Sequence, residues 1–182
     1  MQIAGAIIAG GRGTRMGDPH KALRRLPDGT SAGMRVRDAL RAAGCDPLLV
    51  SANDPVPWTA LGLPVVADRR ADCGPLAGIE AVLLAQAPVC LIAGDMPAFD
   101  VDCVRRLLAG FDGRLCVAWG ERMQPLCAVI GGAILPEVTA ALERGEHGVY
   151  RLWERLRALP VRFADEAVFA DLDTPDDLAR VH

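Results

Sequence analysis

The chain of 182 residues is almost without lysine: Lys21 is the only one, and the other 19 of its 20 basic residues are arginines. Acidic residues number 23, so the formal net charge is −3. A mildly acidic chain of this kind does not indicate a nucleic-acid-binding surface. No apolar run approaches the roughly 18 residues that a membrane span needs. The first residues, MQIAGAIIAGG, lack the basic segment of a secretory signal. We therefore expect a cytoplasmic protein that binds neither nucleic acid nor membrane.

Paired cysteine motifs are also missing. Neighbouring cysteines among the six stand 11 to 28 positions apart, so none forms a C-x-x-C pair. This spacing excludes the usual zinc-binding and thioredoxin-type motifs. The three histidines, His20, His147 and His182, are equally dispersed and indicate no catalytic triad. We expect the thiols to be reduced and mostly buried, as is usual in the cytoplasm.

What the chain has is a regular alternation of short apolar runs and longer amphipathic ones. The pattern predicts strands over 3–9, 46–52, 63–67 and 88–93, and helices over 32–43, 76–86 and 100–109, the last with Asp100 as its N-cap. The second half predicts strands over 115–119, 126–130, 161–163 and 168–172, helices over 134–143 and 149–159, and a last helix opening at Thr174. Strand–helix alternation indicates a single α/β domain with a Rossmann-like, mostly parallel sheet covered by helices on both faces.

The segment IIAGGRGTRMGDPHKAL, residues 7–23, is the most informative part of the chain. Glycines directly after a strand let backbone N–H groups approach an anion without interference from a Cβ atom. Arginine and lysine side chains nearby add positive charge suited to a triphosphate. The residues concerned are Gly10, Gly11, Arg12, Gly13, Arg15 and Lys21.

Two better-known glycine motifs do not fit this segment. A P-loop places Ser or Thr after its lysine, and here Ala22 follows Lys21. The dinucleotide fingerprint needs a third glycine where the chain has Met16.

Polar residues follow three of the predicted strands. Asn53, Asp68 and Asp95 each come shortly after an apolar run, and the carboxyl ends of parallel strands share one edge of the sheet. A turn or helix-cap role is the alternative for each of them. With a triphosphate site one loop away, we expect Asp95 to hold Mg²⁺, which uses one or two carboxylates together with phosphate oxygens and water.

The stretch GPLAG, residues 74–78, would start a helix whose N-terminus points at the same edge. Gly78 then lies inside the helix, where glycine is unfavourable, so we predict close packing or close approach of a ligand there.

The opening segment resembles the L-A-G-G-x-x-x-R-M-G-x-x-K-A-L motif of the nucleotidyltransferases related to molybdenum cofactor guanylyltransferase, with Ile8 for the leading leucine. Further segments resemble the family's motifs in the same order and cover nearly the whole chain: SANDP, LGLPVVAD, CGPLAGIEAVL, GDMP, MQPLCAVI and DTPDDL. The resemblance implies a nucleotide-diphospho-sugar transferase type of fold. It also implies Mg²⁺-dependent transfer of GMP from GTP to the terminal phosphate of molybdopterin, with release of pyrophosphate.

The resemblance also assigns roles to residues. Catalysis falls to Arg15, Lys21 and Asp95, with Asp95 as the metal ligand. The nucleotide-binding positions are Ile8, Ala9, Gly10, Gly11, Arg12, Gly13, Lys21, Asn53, Asp68, Gly74 and Asp95, and the acceptor-binding positions are Gln124, Pro125, Asp171 and Asp173. Within one domain, 1–182, the nucleotide-binding half would cover about 1–95 and the acceptor-binding half about 96–182. Partners beyond the two substrates would be cofactor-delivery proteins or apo-molybdoenzymes.

Two alternatives stay open on the sequence. Asp171 and Asp173 replace asparagines often found in the tail of the family, and the D-x-D-T-P tail with the phrase LPDG is closer to cytidylyltransferase relatives. GPLAGI and GDMP favour the guanylyltransferase branch. A related enzyme that uses CTP or a sugar phosphate is thus one alternative. A nucleotide-binding module without catalysis is the other, and the presence of Lys21 and Asp95 argues against it.

Overall fold

Short aliphatic runs form the strands of the computed structural model, which describes residues 2–9 and 21–171. The runs at the centre of the sheet are buried along almost their whole length, as expected for strands covered on both faces, whereas Val65–Val66 is half-buried and Leu159–Arg162 is mostly exposed. In the described residues they are β1 (Ala4–Ile8), β2 (Leu48–Ser51), β3 (Val65–Val66), β4 (Val89–Ala93), β5 (Leu115–Trp119), β6 (Met123–Ile130) and β7 (Leu159–Arg162).

All of these strands join one sheet in the order β3-β2-β1-β4-β6-β5-β7. β6 runs antiparallel to its neighbours β4 and β5, and every other pairing is parallel. From β1 the chain proceeds outward to β2 and β3 and then returns to place β4 on the other side of β1. The strand order therefore reverses between β1 and β4, which is where open α/β sheets bind ligands. The predicted single α/β domain with a mostly parallel sheet is confirmed.

Helices cover both faces of the sheet, as the alternation predicts. α1 (Ala32–Ala42) and α3 (Val101–Ala109) pack on one face. The other face is covered by α2 (Pro75–Ala85), α4 (Leu135–Glu143) and α5 (Val149–Arg155). Side chains cap the two helices of the first face, since Ser31 Oγ accepts from the backbone N–H of Met34 and Asp100 Oδ1 accepts from that of Cys103. The prediction of Asp100 as an N-cap is confirmed.

The cysteines are free thiols, five of them buried and Cys73 half-buried. Burial raises the pKa of the Cys127 thiol to about 12 and that of Cys116 to about 11. The prediction of buried, unpaired thiols is therefore confirmed. In the described part of the chain, no helix is both long enough and apolar enough to cross a membrane.

The second half departs from the sequence-based prediction at its end. The predicted strand over 168–172 is wrong, because a 3₁₀ turn, Glu166–Phe169, occupies its first part. The Asp165 carboxylate accepts from the Ala167 N–H and starts this turn. Phe169 then packs against Phe99 and Phe163, at ring-centroid distances of 6.0 and 5.3 Å.

Element boundaries around α5 also differ from the prediction. The helix predicted over 149–159 ends at Arg155, and Arg157 has a positive φ of 53° that turns the chain. β7 consequently begins at Leu159, ahead of the predicted strand over 161–163. The helix predicted to open at Thr174 lies outside the described residues.

Burial in the central strand predicts a large difference between two leucines. Leu91 in β4 is fully buried, whereas Leu84 on α2 is 46% exposed. Leu91→Ala removes buried methyl groups and leaves a cavity, so unfolding in urea should require about 2–5 kcal/mol less free energy. Leu84→Ala, the matched control, should change the free energy of unfolding by no more than about 0.5 kcal/mol. Equal losses in the two variants would contradict the assignment of β4 to the centre of the sheet.

Candidate functional site

The backbone pairing of the first four strands brings their carboxyl ends to one level. Ile8 of β1 lies beside Ser51 of β2 and beside Ala93 of β4, and Ser51 lies beside Val66 of β3. The N–H of Gly94 donates to the carbonyl of Ile8, and this bond continues the pairing past the end of β4. The four ends therefore form one continuous rim at the point where the strand order reverses.

The predicted polar residues all rise from this rim. Asn53, Asp68 and Asp95 each stand two positions beyond the last residue of β2, β3 and β4. Ile8 is buried at the end of β1 and Ala9 is half-buried just after it, between the strands that lead to Asn53 and Asp95. The structure thus brings together predicted site residues that are up to 87 positions apart in the sequence (Ile8 to Asp95).

Asn53 and Asp68 hold each other in place. The Asn53 amide Nδ2 donates to Asp68 Oδ2 at 3.0 Å, and the Asn53 Oδ1 accepts from the backbone N–H of Asp68 at 2.9 Å. The Asn53 side chain thereby fixes both the carboxylate and the backbone of Asp68. Loss of solvent around Asp68 raises the pKa of its carboxyl, and the hydrogen bond from Asn53 partly opposes that shift.

Gly78 of α2 packs directly against this pair. A Cβ atom at residue 78 would stand 2.5 Å from Ser51 Oγ and 3.4 Å from Asp68 Oδ1. The first distance is too short for any real contact, so only glycine fits here without movement of its neighbours. Close packing at Gly78, which the sequence predicts, is confirmed.

Ser51 is buried, with 1% of its surface exposed, at the end of β2. Its Oγ is the one buried side-chain oxygen or nitrogen of the described residues that has no hydrogen-bond partner. Buried polar atoms nearly always have a hydrogen-bond partner, so the unpaired Ser51 hydroxyl is an unusual feature of the packing around Asp68.

α2 begins at the same rim. Its N-cap is Gly74, exposed and with a positive φ of 65°, and no side chain caps the helix there. The positive end of the helix dipole therefore lies at the edge that carries Asp68.

Asp95 lies half-buried in the turn after β4. The preceding Gly94 is tightly packed: a Cβ there would stand 3.0 Å from Ile7 Cγ2 and 3.5 Å from the Cβ of Ala22. Ala22 is the middle residue of the 3₁₀ turn Lys21–Leu23. The backbone of the turn that starts at Lys21 is thus packed beside the residue before Asp95, although 74 positions separate Lys21 from Asp95 in the sequence.

The predicted acceptor-binding residues lie on the next strand. Gln124 and Pro125 are half-buried on β6, and the Pro125 carbonyl accepts from Trp153 Nε1 at 2.9 Å. β4 and β6 pair as far as Ile92 opposite Cys127, and Gln124 and Pro125 lie on the part of β6 just beyond this pairing. Asp171 is exposed at the end of the described residues.

Several predicted site residues lie outside the described residues. They are Gly10, Gly11, Arg12, Gly13, Arg15 and Asp173.

Sequence reasoning missed a buried ionic cluster behind the rim. Glu80 on α2 accepts from Arg70 Nε at 3.1 Å and from Thr139 Oγ1 at 2.9 Å. A signal was present, because Glu80 is the single charged residue in the helix sequence PLAGIEAVLLA. Ser51 was also missed as a site residue, although it opens the SAN segment.

The arrangement offers one carboxylate for hydrogen-bond donors and another for a cation. Asp68, held by Asn53, can accept two N–H groups of a planar ligand. Asp95 supplies a hard oxygen of the kind Mg²⁺ binds. The described residues contain no group of three His, Cys, Asp or Glu side chains able to enclose a metal ion, so an ion at Asp95 would take its remaining ligands from phosphates and water.

Comparison with known proteins places these features in a family context. Residues 5–160 match the family model described as MobA-like NTP transferase domain. A molybdenum cofactor guanylyltransferase of Cereibacter sphaeroides is 35% identical over 192 residues, which covers 99% of this chain and 95% of that protein.

Solved structures share the fold. The molybdopterin-guanine dinucleotide biosynthesis protein A of Archaeoglobus fulgidus superposes with a TM-score of 0.75 at 22% identity, covering 98% of this chain and 96% of that one. The 2-C-methyl-D-erythritol 4-phosphate cytidylyltransferase of Thermus thermophilus gives 0.72 at 17% identity, with coverage of 99% and 96%. One fold thus carries proteins whose names refer to different nucleotides.

The contact at Gly78 gives a test of the site's packing. Alanine normally stabilises an open helix relative to glycine by about 0.5–1 kcal/mol. Gly78→Ala should instead lower the free energy of unfolding by about 1–3 kcal/mol, because its Cβ meets the Ser51 hydroxyl. Ser51→Ala removes that oxygen and leaves Ser51 Cβ at an ordinary 3.6 Å. The double variant should therefore recover most of the loss in urea titration, and a loss that Ser51→Ala does not relieve would refute this contact.

Proposed function

The chain belongs to the MobA-like NTP transferase family, and from that premise we propose that it transfers GMP from GTP to the terminal phosphate of molybdopterin, releasing pyrophosphate. The observation that carries the proposal is the rim at which Asn53, Asp68 and Asp95 stand on neighbouring strand ends. It lies where the strand order reverses, the usual place for a nucleotide in open α/β sheets. The 35% identity over nearly the whole chain to a protein named for this reaction supports the choice of substrates.

Asp68 is the residue we assign to the base. Guanine presents the adjacent donors N1–H and N2–H₂ on its Watson–Crick edge, and an ionised carboxylate accepts from both. Cytosine presents a single donor, N4–H₂, beside two acceptors, N3 and O2, so a carboxylate could accept only from N4 and its negative charge would face N3. The hydrogen bonds with Asn53 fix the orientation of the Asp68 carboxylate before the nucleotide arrives. Guanine is therefore the base that this pair favours.

Asp95 is the residue we assign to Mg²⁺. A single carboxylate beside a triphosphate matches the donor set of this cation, which commonly combines one or two carboxylates with phosphate oxygens. Bound there, Mg²⁺ would neutralise charge on the phosphates and on the departing pyrophosphate. The position of Asp95 beside the turn of Lys21 suits that task, because it brings a metal ligand close to the end of the basic segment 7–23.

The chemical step needs little from the protein beyond position and charge. An oxygen of the acceptor's terminal phosphate attacks the α-phosphorus of GTP, a new P–O bond forms, and the bond from that phosphorus to the bridging oxygen of pyrophosphate breaks. The nucleophile is already anionic, so no general base is required. We assign to Lys21 and Arg15 the stabilisation of the negative charge that develops on the phosphates. The glycine-rich segment, Gly10, Gly11 and Gly13 with Arg12, would hold the phosphates through backbone N–H groups.

Acceptor binding is assigned to the half of the sheet beyond β4. Gln124 lies on β6 just beyond its pairing with β4, the strand that leads to Asp95, so an acceptor phosphate near Asp95 would have the rest of the molecule over β6. Pro125, Asp171 and Asp173 are the other residues we assign to it, on the family resemblance. We place the reaction in the cytoplasm, in keeping with the free cysteines, and regard cofactor-delivery proteins or apo-molybdoenzymes as its partners.

A variant of Asp95 tests the catalytic assignment. Asp95→Asn keeps the shape of the side chain and removes its charge, so GMP transfer measured as pyrophosphate release should fall at least about 100-fold. Lys21→Ala should have an effect of similar size. Asp46→Asn is a matched control, because Asp46 is an exposed carboxylate before β2, at the opposite edge of the sheet. Near-normal turnover in Asp95→Asn or Lys21→Ala would overturn the assignment of that residue.

Thermal denaturation with nucleotides tests the choice of base. A ligand at 100 times its Kd stabilises the native state by about 2.7 kcal/mol, which raises the Tm of a domain of this size by roughly 5–10 °C. GTP with Mg²⁺ should give such a shift and CTP should not. Asp68→Asn should weaken GTP binding and reduce the shift. In the wild type, lowering the pH should also reduce the GTP-induced shift, because the carboxyl of Asp68 takes up a proton. The raised pKa of Asp68 means that this happens at a higher pH than for an ordinary aspartate. Stabilisation by CTP instead of GTP would favour the cytidylyltransferase alternative.

A further inference from the structure

Three side chains of the described residues are polar and buried: Ser31, Ser51 and Glu80. Ser31 is explained as the N-cap of α1. Ser51 lies beside Asp68, and Glu80 lies under the segment that follows Asp68. Glu80 is the only one of the three that carries a charge, and 3% of its surface is exposed. The mechanism above does not use it.

Glu80 joins three parts of the fold. Its Oε2 accepts from Arg70 Nε at 3.1 Å, and its Oε1 accepts from the Thr139 hydroxyl of α4 at 2.9 Å. Arg70 also lies 3.9 Å from the carboxylate of Glu143 at the end of α4. One guanidinium in the segment after β3 is thus bound to the two helices that cover this face of the sheet.

Stability alone does not account for such a pair. Removing charges from water is costly, and exchanging a buried ion pair for apolar side chains of similar size is often neutral or stabilising. Here the cost falls on Glu80, whose side chain is 4% exposed, while that of Arg70 is 35% exposed. The other residues of α2 carry no charge. A buried charge retained there suggests that its use is to fix a position.

The segment that Arg70 holds, residues 67–74, has no helix or strand of its own. Asp68 is its second residue, Asp72 within it has a positive φ of 58°, and it ends at Gly74, the N-cap of α2. Asn53 fixes its start. Arg70 fixes its middle, two residues after Asp68.

We propose that Glu80 is a positioning residue for recognition of the base. By binding Arg70, Glu80 ties segment 67–74 to α2 and keeps it in the conformation that presents the Asp68 carboxylate to N1–H and N2–H₂ of guanine. This rests on the proposed function, since it takes Asp68 as the group that contacts the base. It differs from a stabilising role, because its effect must pass through Asp68 and must depend on the donors of the base.

Inosine triphosphate supplies the probe, because it lacks the 2-amino group and keeps N1–H. The wild type should bind GTP about 10-fold or more tightly than inosine triphosphate, since a hydrogen bond to a charged group is lost. Glu80→Gln keeps the size of the side chain and removes the charge that holds Arg70. Its Kd for GTP should rise about 5-fold, and its preference for GTP over inosine triphosphate should fall by at least about 3-fold, measured by calorimetry with Mg²⁺.

Two controls separate positioning from stability. Glu146→Gln removes another carboxylate that pairs with two arginines, Arg144 and Arg155, neither of which belongs to segment 67–74, and it should leave both affinities unchanged. Val104→Ala removes buried volume from α3 on the opposite face of the sheet. It should lower the Tm without changing the ratio of the two affinities. Arg70→Met removes the other half of the pair and serves if Glu80→Gln does not fold.

A double-variant cycle with Asp68→Asn completes the test. If Glu80 acts through Asp68, adding Glu80→Gln to Asp68→Asn should change the Kd for GTP by less than about 2-fold. Effects that multiply in the double variant, or an unchanged preference for GTP over inosine triphosphate in both Glu80→Gln and Arg70→Met, overturn this inference alone. A wild type that binds CTP as tightly as GTP overturns the proposed choice of base, and this inference with it.

Discussion

The site depends on the backbone pairing that ends β1, β2, β3 and β4 at one level. Hydrogen bonds between strands fix this level to within a fraction of one residue, because a parallel pair cannot slide without breaking all of its bonds. A shift by one residue would also turn each side chain to the opposite face of the sheet. Asn53, Asp68 and Asp95 each stand two residues past the end of one of these strands. The spacing between the strand ends therefore determines where the three residues lie relative to one another. The regular sheet thereby sets the geometry of the irregular segments at the rim.

Small residues then bring the connecting segments close to that frame. Gly78 lets α2 approach Ser51 and Asp68. Gly94, which directly precedes Asp95, packs closely against β1 and against the turn of Lys21. In both cases the glycine has an ordinary backbone conformation, and what it provides is the space of a missing Cβ. The two contacts serve opposite ends of a bound nucleotide in the proposed function: Gly78 the base and Gly94 the phosphates. The absence of a Cβ atom at Gly78 and Gly94 therefore lets the core pack closely beneath both ends of the proposed nucleotide site.

The sequence predicted the fold and most of the rim because both depend on local patterns. Apolar runs with polar residues directly behind them gave β2, β4 and the candidates Asn53 and Asp95, and a glycine inside an apolar helix pattern gave the tight contact at Gly78. The last strand failed for a physical reason: Val168 and Phe169 look like a strand by composition, but the Asp165 carboxylate starts a turn and Phe169 joins an aromatic cluster. The Arg70–Glu80–Thr139 cluster was out of reach, because its members are up to 69 positions apart and only the folded chain shows their contacts.

The distribution of charge explains how a chain with a net charge of −3 can serve a polyphosphate. Many arginines are bound to carboxylates or to backbone carbonyls, as Arg35 is to Asp28 and Arg114 is to the carbonyl of Leu156. Ion pairs neutralise charge locally, and salt screens exposed charges beyond about 8–10 Å, so these arginines contribute little to the field at a distance. What matters for a phosphate is the charge within that distance. Lys21 opens the turn packed beside the residue before Asp95, so the only lysine of the chain begins a turn at the rim where the proposed function places the phosphates. Net charge is thus a poor guide to the charge of the proposed ligand, because the groups assigned to the phosphates belong to one short segment and one rim.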